Sequence, residues 1–220
     1  MDLVSEPYII KEGFPFIALS AFLALFAAAS RLHALGWILL VLTFLIAAFF
    51  RNPVRIIPSD PKVIVSPADG KIIEIRKVDK KTGDPKGLIA APFWKISIFM
   101  SPFDVHVNRV PASGIVNRRS HMPGRFHVAS KAEASSENER VELLIETPEG
   151  FTLGLVQIAG RMARRIVCYP REGERVRRGE RFGLIRFGSR VELYLPQEVS
   201  VSVQPGQRVR GGETVMGYFP

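Results

Sequence analysis

The sequence predicts a mostly β protein, with an antiparallel β-sandwich or barrel-like body that carries lipoyl-like hairpins and follows an N-terminal hydrophobic helical hairpin. Three observations predict it. Two apolar, charge-free runs fill most of the first fifty residues. Beyond residue 52 the chain breaks into short β-rich runs punctuated by proline and glycine. A glycine–arginine–valine turn occurs twice near the C-terminus.

The apolar runs cover residues 14–30 and 34–50, and each is 17 residues long. Crossing hydrocarbon as a helix takes about 20 residues, with ~17 at the lower limit. Arg31-Leu32-His33 separates the runs and reads as the turn of a helical hairpin. A cleaved signal peptide is disfavoured, because a second apolar run follows at once and the leading stretch carries Asp2, Glu6 and Glu12 instead of a basic region. A buried core hairpin would have to be apolar on every face, so a membrane hairpin is the better reading of residues 1–51. Lys11 precedes it, Arg51 and Arg55 follow it, and only Arg31 lies at the turn. That bias expects both ends on the cytoplasmic side.

Residues 52–220 form the expected second domain. Val63-Ile64-Val65, Lys71 to Ile75, Trp94 to Phe99, Val141 to Ile145, Phe151 to Ile158, Phe182 to Phe187 and Val191 to Leu195 read as strands bounded by turn residues. Residues 80–87 read as a polar loop, and residues 129–140 as a short helix or a long loop. Residues 173–180, GERVRRGE, resemble residues 206–213, GQRVRGGE. The style is that of lipoyl- and biotinyl-domain turns; two similar hairpins are the plainer explanation.

Formal net charge is +9 over 220 residues, and all of the excess lies beyond residue 50. A basic body suits an anionic partner, either nucleic acid or an anionic lipid surface, and the hairpin favours lipid. Arg161, Arg164 and Arg165 read as a basic face toward such a surface. No basic motif interleaved with aromatics argues for nucleic acid. The single cysteine, Cys168, forms no intrachain disulfide and reads as a small core residue. No Cys/His set has metal-ligand spacing, so no metal is expected.

Three segments carry candidate chemistry: Ser66-Pro67-Ala68-Asp69-Gly70, Ser101-Pro102-Phe103-Asp104-Val105-His106-Val107-Asn108-Arg109, and Phe187-Gly188-Ser189-Arg190. In this order they resemble the phosphatidylserine decarboxylase family, in its short, archaeal-type branch, and the resemblance spans the whole chain. It implies that the proenzyme cuts itself between Gly188 and Ser189 into residues 1–188 and 189–220. Ser189 then becomes a covalent pyruvoyl cofactor, which forms a Schiff base with phosphatidylserine and yields phosphatidylethanolamine and carbon dioxide. Glycine suits the cut because it lets a hydroxyl reach its carbonyl.

His106 lies where the family has a functional histidine, and a histidine exchanges protons near neutral pH. Asp69 resembles the aspartate assigned to self-cleavage in the long branch; a turn aspartate before Gly70 is the plain alternative. The long branch carries a second histidine three residues after the first. Here that position is Arg109, which is too basic to be a general base. Either His106 then serves both steps, or His121 or His127 substitutes. Arg190 and Arg109 are candidates for binding the substrate phosphate or carboxylate. The expected partners are phosphatidylserine in an anionic membrane and the protein's own two cleavage chains, with a homodimer left open. The rival reading is a non-catalytic membrane-anchored adaptor with a lipoyl-like sandwich, which gives no reason for the Asp-Val-His segment. A serine hydrolase would need a Gly-x-Ser-x-Gly elbow around Ser189, which is absent.

Overall fold

A computed structural model describes residues 7–78, 92–128, 133–160, 165–186 and 189–220. The expected loop at residues 80–87, the pair Phe187-Gly188 and the arginines Arg161 and Arg164 lie outside the described residues. The chain divides into two compact units, Met1–Val54 and Arg55–Pro220.

In the first unit, helix α1 (Phe14–Ala29) and helix α2 (His33–Phe49) form an antiparallel pair. The turn is tighter than the sequence suggested, because His33 opens α2 instead of belonging to the turn. Arg31 takes a left-handed φ of 59°. This lets its N–H reach the Ala28 carbonyl at 3.1 Å, and the Leu32 N–H reach Ala27 at 2.9 Å. That pair of bonds satisfies the last carbonyls of α1 in the manner of a Schellman cap. Small residues bring the helices together, with Gly36 against the Ala24 carbonyl and Ala28. The outward positions are apolar: Phe22, Leu25, Trp37 and Phe44 are all more than 60% exposed. Among the described residues, Lys11–Ala29 is long and apolar enough to cross a membrane, while His33–Phe49 is shorter.

The second unit is built from strands β1 (Val63–Val65), β2 (Gly70–Val78), β3 (Phe93–Met100), β4 (Val107–Arg109), β5 (Gly114–Met122), β6 (Arg140–Glu146), β7 (Thr152–Ile158), β8 (Ile166–Cys168), β9 (Arg175–Val176), β10 (Arg181–Ile185), β11 (Ser189–Pro196), β12 (Ser200–Val201), β13 (Arg208–Val209) and β14 (Val215–Tyr218), with one helical turn, α3 (Ala134–Glu137), before β6. Among the described residues they pair as an antiparallel eight-stranded sheet, β13-β2-β3-β11-β7-β6-β5-β9, and two three-stranded sheets, β1-β14-β12 and β4-β10-β8. The sheets curl into a half-barrel. The polar run of β5 gave no strand signal, since Asn117, Arg118 and Arg119 are solvent-facing and break its alternation.

The main core packs on one face of the large sheet. It takes Ile96, Ile98 and Met100 of β3, Leu153 and Leu155 of β7, and Val191, Leu193 and Leu195 of β11. Strand parity puts their neighbours on the other face, where Phe93, Val156, Ile158 and Tyr194 form a second cluster.

The arginine–valine repeat occupies the two ends of the large sheet, β9 on β5 and β13 on β2. The structure extends that repeat. The Gly179 N–H bonds Val110 O, and the Gly212 N–H bonds Ser66 O, both at 2.8 Å; the Gly173 N–H bonds Val116 O, and the Gly206 N–H bonds Ile72 O. Pro67-Ala68-Asp69-Gly70 and Pro111-Ala112-Ser113-Gly114 therefore occupy equivalent places opposite the two turns. In each copy a side-chain oxygen accepts a turn N–H: Asp69 Oδ1 from Gly211 at 2.7 Å, and Ser113 Oγ from Arg178 at 3.0 Å.

Candidate active site

Ser189 is the first residue of β11 and pairs in register with Met100, the last residue of β3. β3 therefore leaves the sheet, and the connection from β10 enters it, at the same end. Parity turns the Ser189 side chain into the core with Val191 and Leu193, and it is fully buried. Its hydroxyl points at the Met100 sulfur, 3.4 Å away. A thioether is a weak acceptor, so among the described residues this buried hydroxyl has no strong partner.

The chain leaving Met100 folds back at once. The Ser101 N–H bonds Asp104 Oδ2 at 2.8 Å, and the Asp104 N–H bonds Ser101 O at 3.0 Å. This turn delivers His106 to a buried position immediately ahead of β4. His106 Nδ1 lies 2.9 Å from the Asp104 carbonyl oxygen. A carbonyl only accepts, so Nδ1 carries the proton and Nε2 is the basic nitrogen of the neutral ring.

Two buried carboxamides, absent from the sequence-based candidates, complete this end of the core. Gln157 Nε2 donates to Asn108 Oδ1 at 2.8 Å, and Asn108 Nδ2 faces the same Met100 sulfur at 3.6 Å. Both side chains are at most 1% exposed. Each had a legible signal. Asn108 stands two residues beyond His106, and Gln157 is the lone polar residue at an inward position of an otherwise apolar strand.

The other sequence candidates fall elsewhere. Asp69 faces Arg55, not His106 or Ser189, with Arg55 Nη2 at 2.9 and 2.7 Å from its two carboxylate oxygens. Burial pushes the Asp69 carboxyl above its ordinary range; Arg55 and the Gly211 N–H oppose this without cancelling it. Arg109 points away from Asn108 and donates to Gly179 O at 2.8 Å, fastening one repeat turn. Arg190 lies on the face of β11 opposite Ser189, where its Nη1 is 3.7 Å from Glu192. There Glu192 is fully buried and also accepts from Ser135 Oγ at 2.6 Å and Tyr194 OH at 2.9 Å, with Lys95 Nζ at 3.2 Å. His121 and His127 are surface groups beside Glu139 and Glu137. His121 is on β5, three strands from β11, or about 14 Å at ordinary strand spacing. Neither ring is hydrogen-bonded to Ser189, whose hydroxyl faces Met100. Gly188 lies outside the described residues.

The model of the family described as phosphatidylserine decarboxylase matches residues 42–217. The chain belongs to the phosphatidylserine decarboxylase family. A phosphatidylserine decarboxylase proenzyme of Desulfotalea psychrophila is 45% identical over 209 residues, covering 95% of each chain. That of Geotalea uraniireducens is 44% identical, covering 96% of this chain and 97% of its own. That of Pelobacter propionicus is 47% identical, covering 94% of each. These relatives are bacterial.

Proposed function

We propose that this chain is a self-processing phosphatidylserine decarboxylase, in which the Ser189 hydroxyl cuts the Gly188–Ser189 bond and residue 189 becomes the pyruvoyl group. The observation that carries this reading is the placement of Ser189, fully buried at the start of a strand held on both sides. A cut before Ser189 would leave β11 paired with β3 over eight positions and with β7 over five. β13 and β14 would stay paired with β2 and β1. The 32-residue product, 189–220, would thus remain woven into the larger chain, with its new N-terminal group fixed inside the core. The site fits a group formed in place.

The pyruvoyl group supplies an electron-withdrawing carbonyl for an amine substrate that loses carbon dioxide. His106 holds its basic Nε2 ready to take or return a proton, because Nδ1 is committed to the Asp104 carbonyl. Asp69 is a positioning carboxylate: it anchors Arg55 and the Gly211 turn. The helix pair anchors the enzyme in the membrane with both ends cytoplasmic, and the basic body attracts anionic phospholipid.

The test is the intact mass of the wild-type protein beside Ser189→Ala. Two wild-type fragments meeting at 188/189, the smaller beginning with a pyruvoyl group, and an uncut variant support the reading. A single uncut chain in active wild-type material would end it.

A further inference from the structure

The two buried carboxamides have no part in the reaction scheme above, and burying them is costly unless each polar atom is used. Gln157 Nε2 lies 2.8 Å from Asn108 Oδ1 and 3.4 Å from the Val167 carbonyl oxygen. The carbonyl only accepts, which fixes the nearer Gln157 atom as nitrogen. The Asn108 atom facing that nitrogen must then be oxygen. Its NH2 is left pointing at the Met100 sulfur, the atom that the Ser189 hydroxyl also faces. Gly183 makes the arrangement possible, since a Cβ there would sit 2.8 Å from Gln157 Nε2 and 2.2 Å from Val167 O. Among the described residues, Gln157 Oε1 is buried with no hydrogen-bond partner. A strong donor aimed at a weak acceptor can still stabilise charge that appears only during reaction.

We infer that Asn108 is the amide donor that stabilises the charge developing at Ser189 during self-cleavage, and that Gln157 is the positioning residue that keeps the Asn108 NH2 turned toward it. The inference rests on the self-processing reading. In the step concerned, the Ser189 hydroxyl loses its proton to a base and Oγ bonds to the Gly188 carbonyl carbon. The Gly188–Ser189 C–N bond then breaks, the proton passes to the freed amine, and Gly188 is left esterified to Ser189 Oγ. Loss of the Ser189 Cα proton breaks the Cβ–Oγ bond, freeing the Gly188 carboxylate. Water then replaces the nitrogen as ammonia to leave the pyruvoyl group. Asn108 acts on the first of these steps, where Ser189 Oγ, which faces the same Met100 sulfur as the Asn108 NH2, gives up its proton and carries negative charge into the attack.

The experiment follows the rate of appearance of the 189–220 fragment in full-length protein, for wild type, Asn108→Ala, Asn108→Asp, Gln157→Met and Ser189→Ala. Asn108→Asp keeps the shape and removes the donor. Removing one such donor slows comparable reactions about 100-fold or more. Both Asn108 variants are expected to cleave about 100-fold slower, and Gln157→Met about 10-fold slower, because Asn108 can then rotate. Their uncut chains should not be split by hydroxylamine, which cleaves esters but not amides, because the ester has not formed. Melting temperatures of the same substitutions placed on Ser189→Ala report folding separately. Wild-type cleavage rates in both Asn108 variants overturn the inference. So does hydroxylamine-cleavable ester accumulating in them, or slowing matched by a collapse in melting temperature. Absence of cleavage in the wild type itself would instead remove the self-processing reading.

Discussion

Replacing Asp69 by alanine and by serine separates its charge from its hydrogen bond, because the fold contains an internal control. Ser113 holds the equivalent place in the other half and accepts its turn N–H through a hydroxyl. Asp69→Ser should keep the bond to the Gly211 N–H and lose only the partnership with Arg55; Asp69→Ala loses both. The side chains of Arg55 and Asp69 are 7% and 14% exposed, so removing Asp69 strands a buried guanidinium. Breaking such a pair costs about 3–5 kcal/mol. Glu213, 3.4 Å from Arg55 Nη1, keeps the loss near the lower end, about 3 kcal/mol. The Gly211 bond adds about 1 kcal/mol, which serine retains. At about 2–4 °C per kcal/mol for a domain of this size, Asp69→Ala should lower the melting temperature by roughly 8–16 °C. Asp69→Ser should lie about 2–4 °C above it. Thermal melts on the uncut Ser189→Ala background measure both. Equal melting of the two variants would refute the repeat argument, and wild-type melting of both would refute the structural role of the pair. The pH dependence adds a sign. Burial raises the Asp69 pKa in the folded state, so its contribution to stability is complete below the unfolded value and is lost as pH rises through the folded one. Wild type should therefore gain on Asp69→Ser as pH falls through the raised folded value toward the ordinary carboxylate value of 3.8; the reverse trend would contradict the direction.

Two further predictions address the body. Arg178 donates to the carbonyls of Pro58, Asp60 and Val63 at 2.7, 2.5 and 2.8 Å, strapping the segment before β1 to a repeat turn. The site is half-exposed, so each bond is discounted to about 1 kcal/mol, and Arg178→Ala should cost about 2–3 kcal/mol in denaturant unfolding. An unchanged midpoint would show the strap to be slack. Burial pushes the Cys168 thiol up to about 11, so at pH 8 it should stay unmodified by a thiol reagent in folded protein and react fully once unfolded. Rapid labelling of the folded protein would place it in a looser environment.

Much of this molecule was legible locally. Helix pair, strands and turns each rest on periodicity within a few residues, and the burial of β3, β7 and β11 follows from their apolar inward positions. β5 was hidden because its solvent-facing side is charged and its partner, β6, supplies the pairing. The candidate site was legible only as three motifs. Their sequence does not say which side chains meet, since that depends on parity and register across strands far apart in the chain. Parity sends Ser189 and Arg190 to opposite faces of the sheet, though they are neighbours and both buried, and it separates Asn108 from Arg109 in the same way.

The sequence by itself determined the apolar helix pair, the β-rich body and the family, because each is written in contiguous residues. Only the tertiary structure decided that Asp69 faces Arg55, that the repeat closes both ends of one sheet, and that Asn108 and Gln157 meet beside Ser189. Those contacts join segments 14 to 142 residues apart, and the free energy that forms them comes from burying the whole core, not from any one segment.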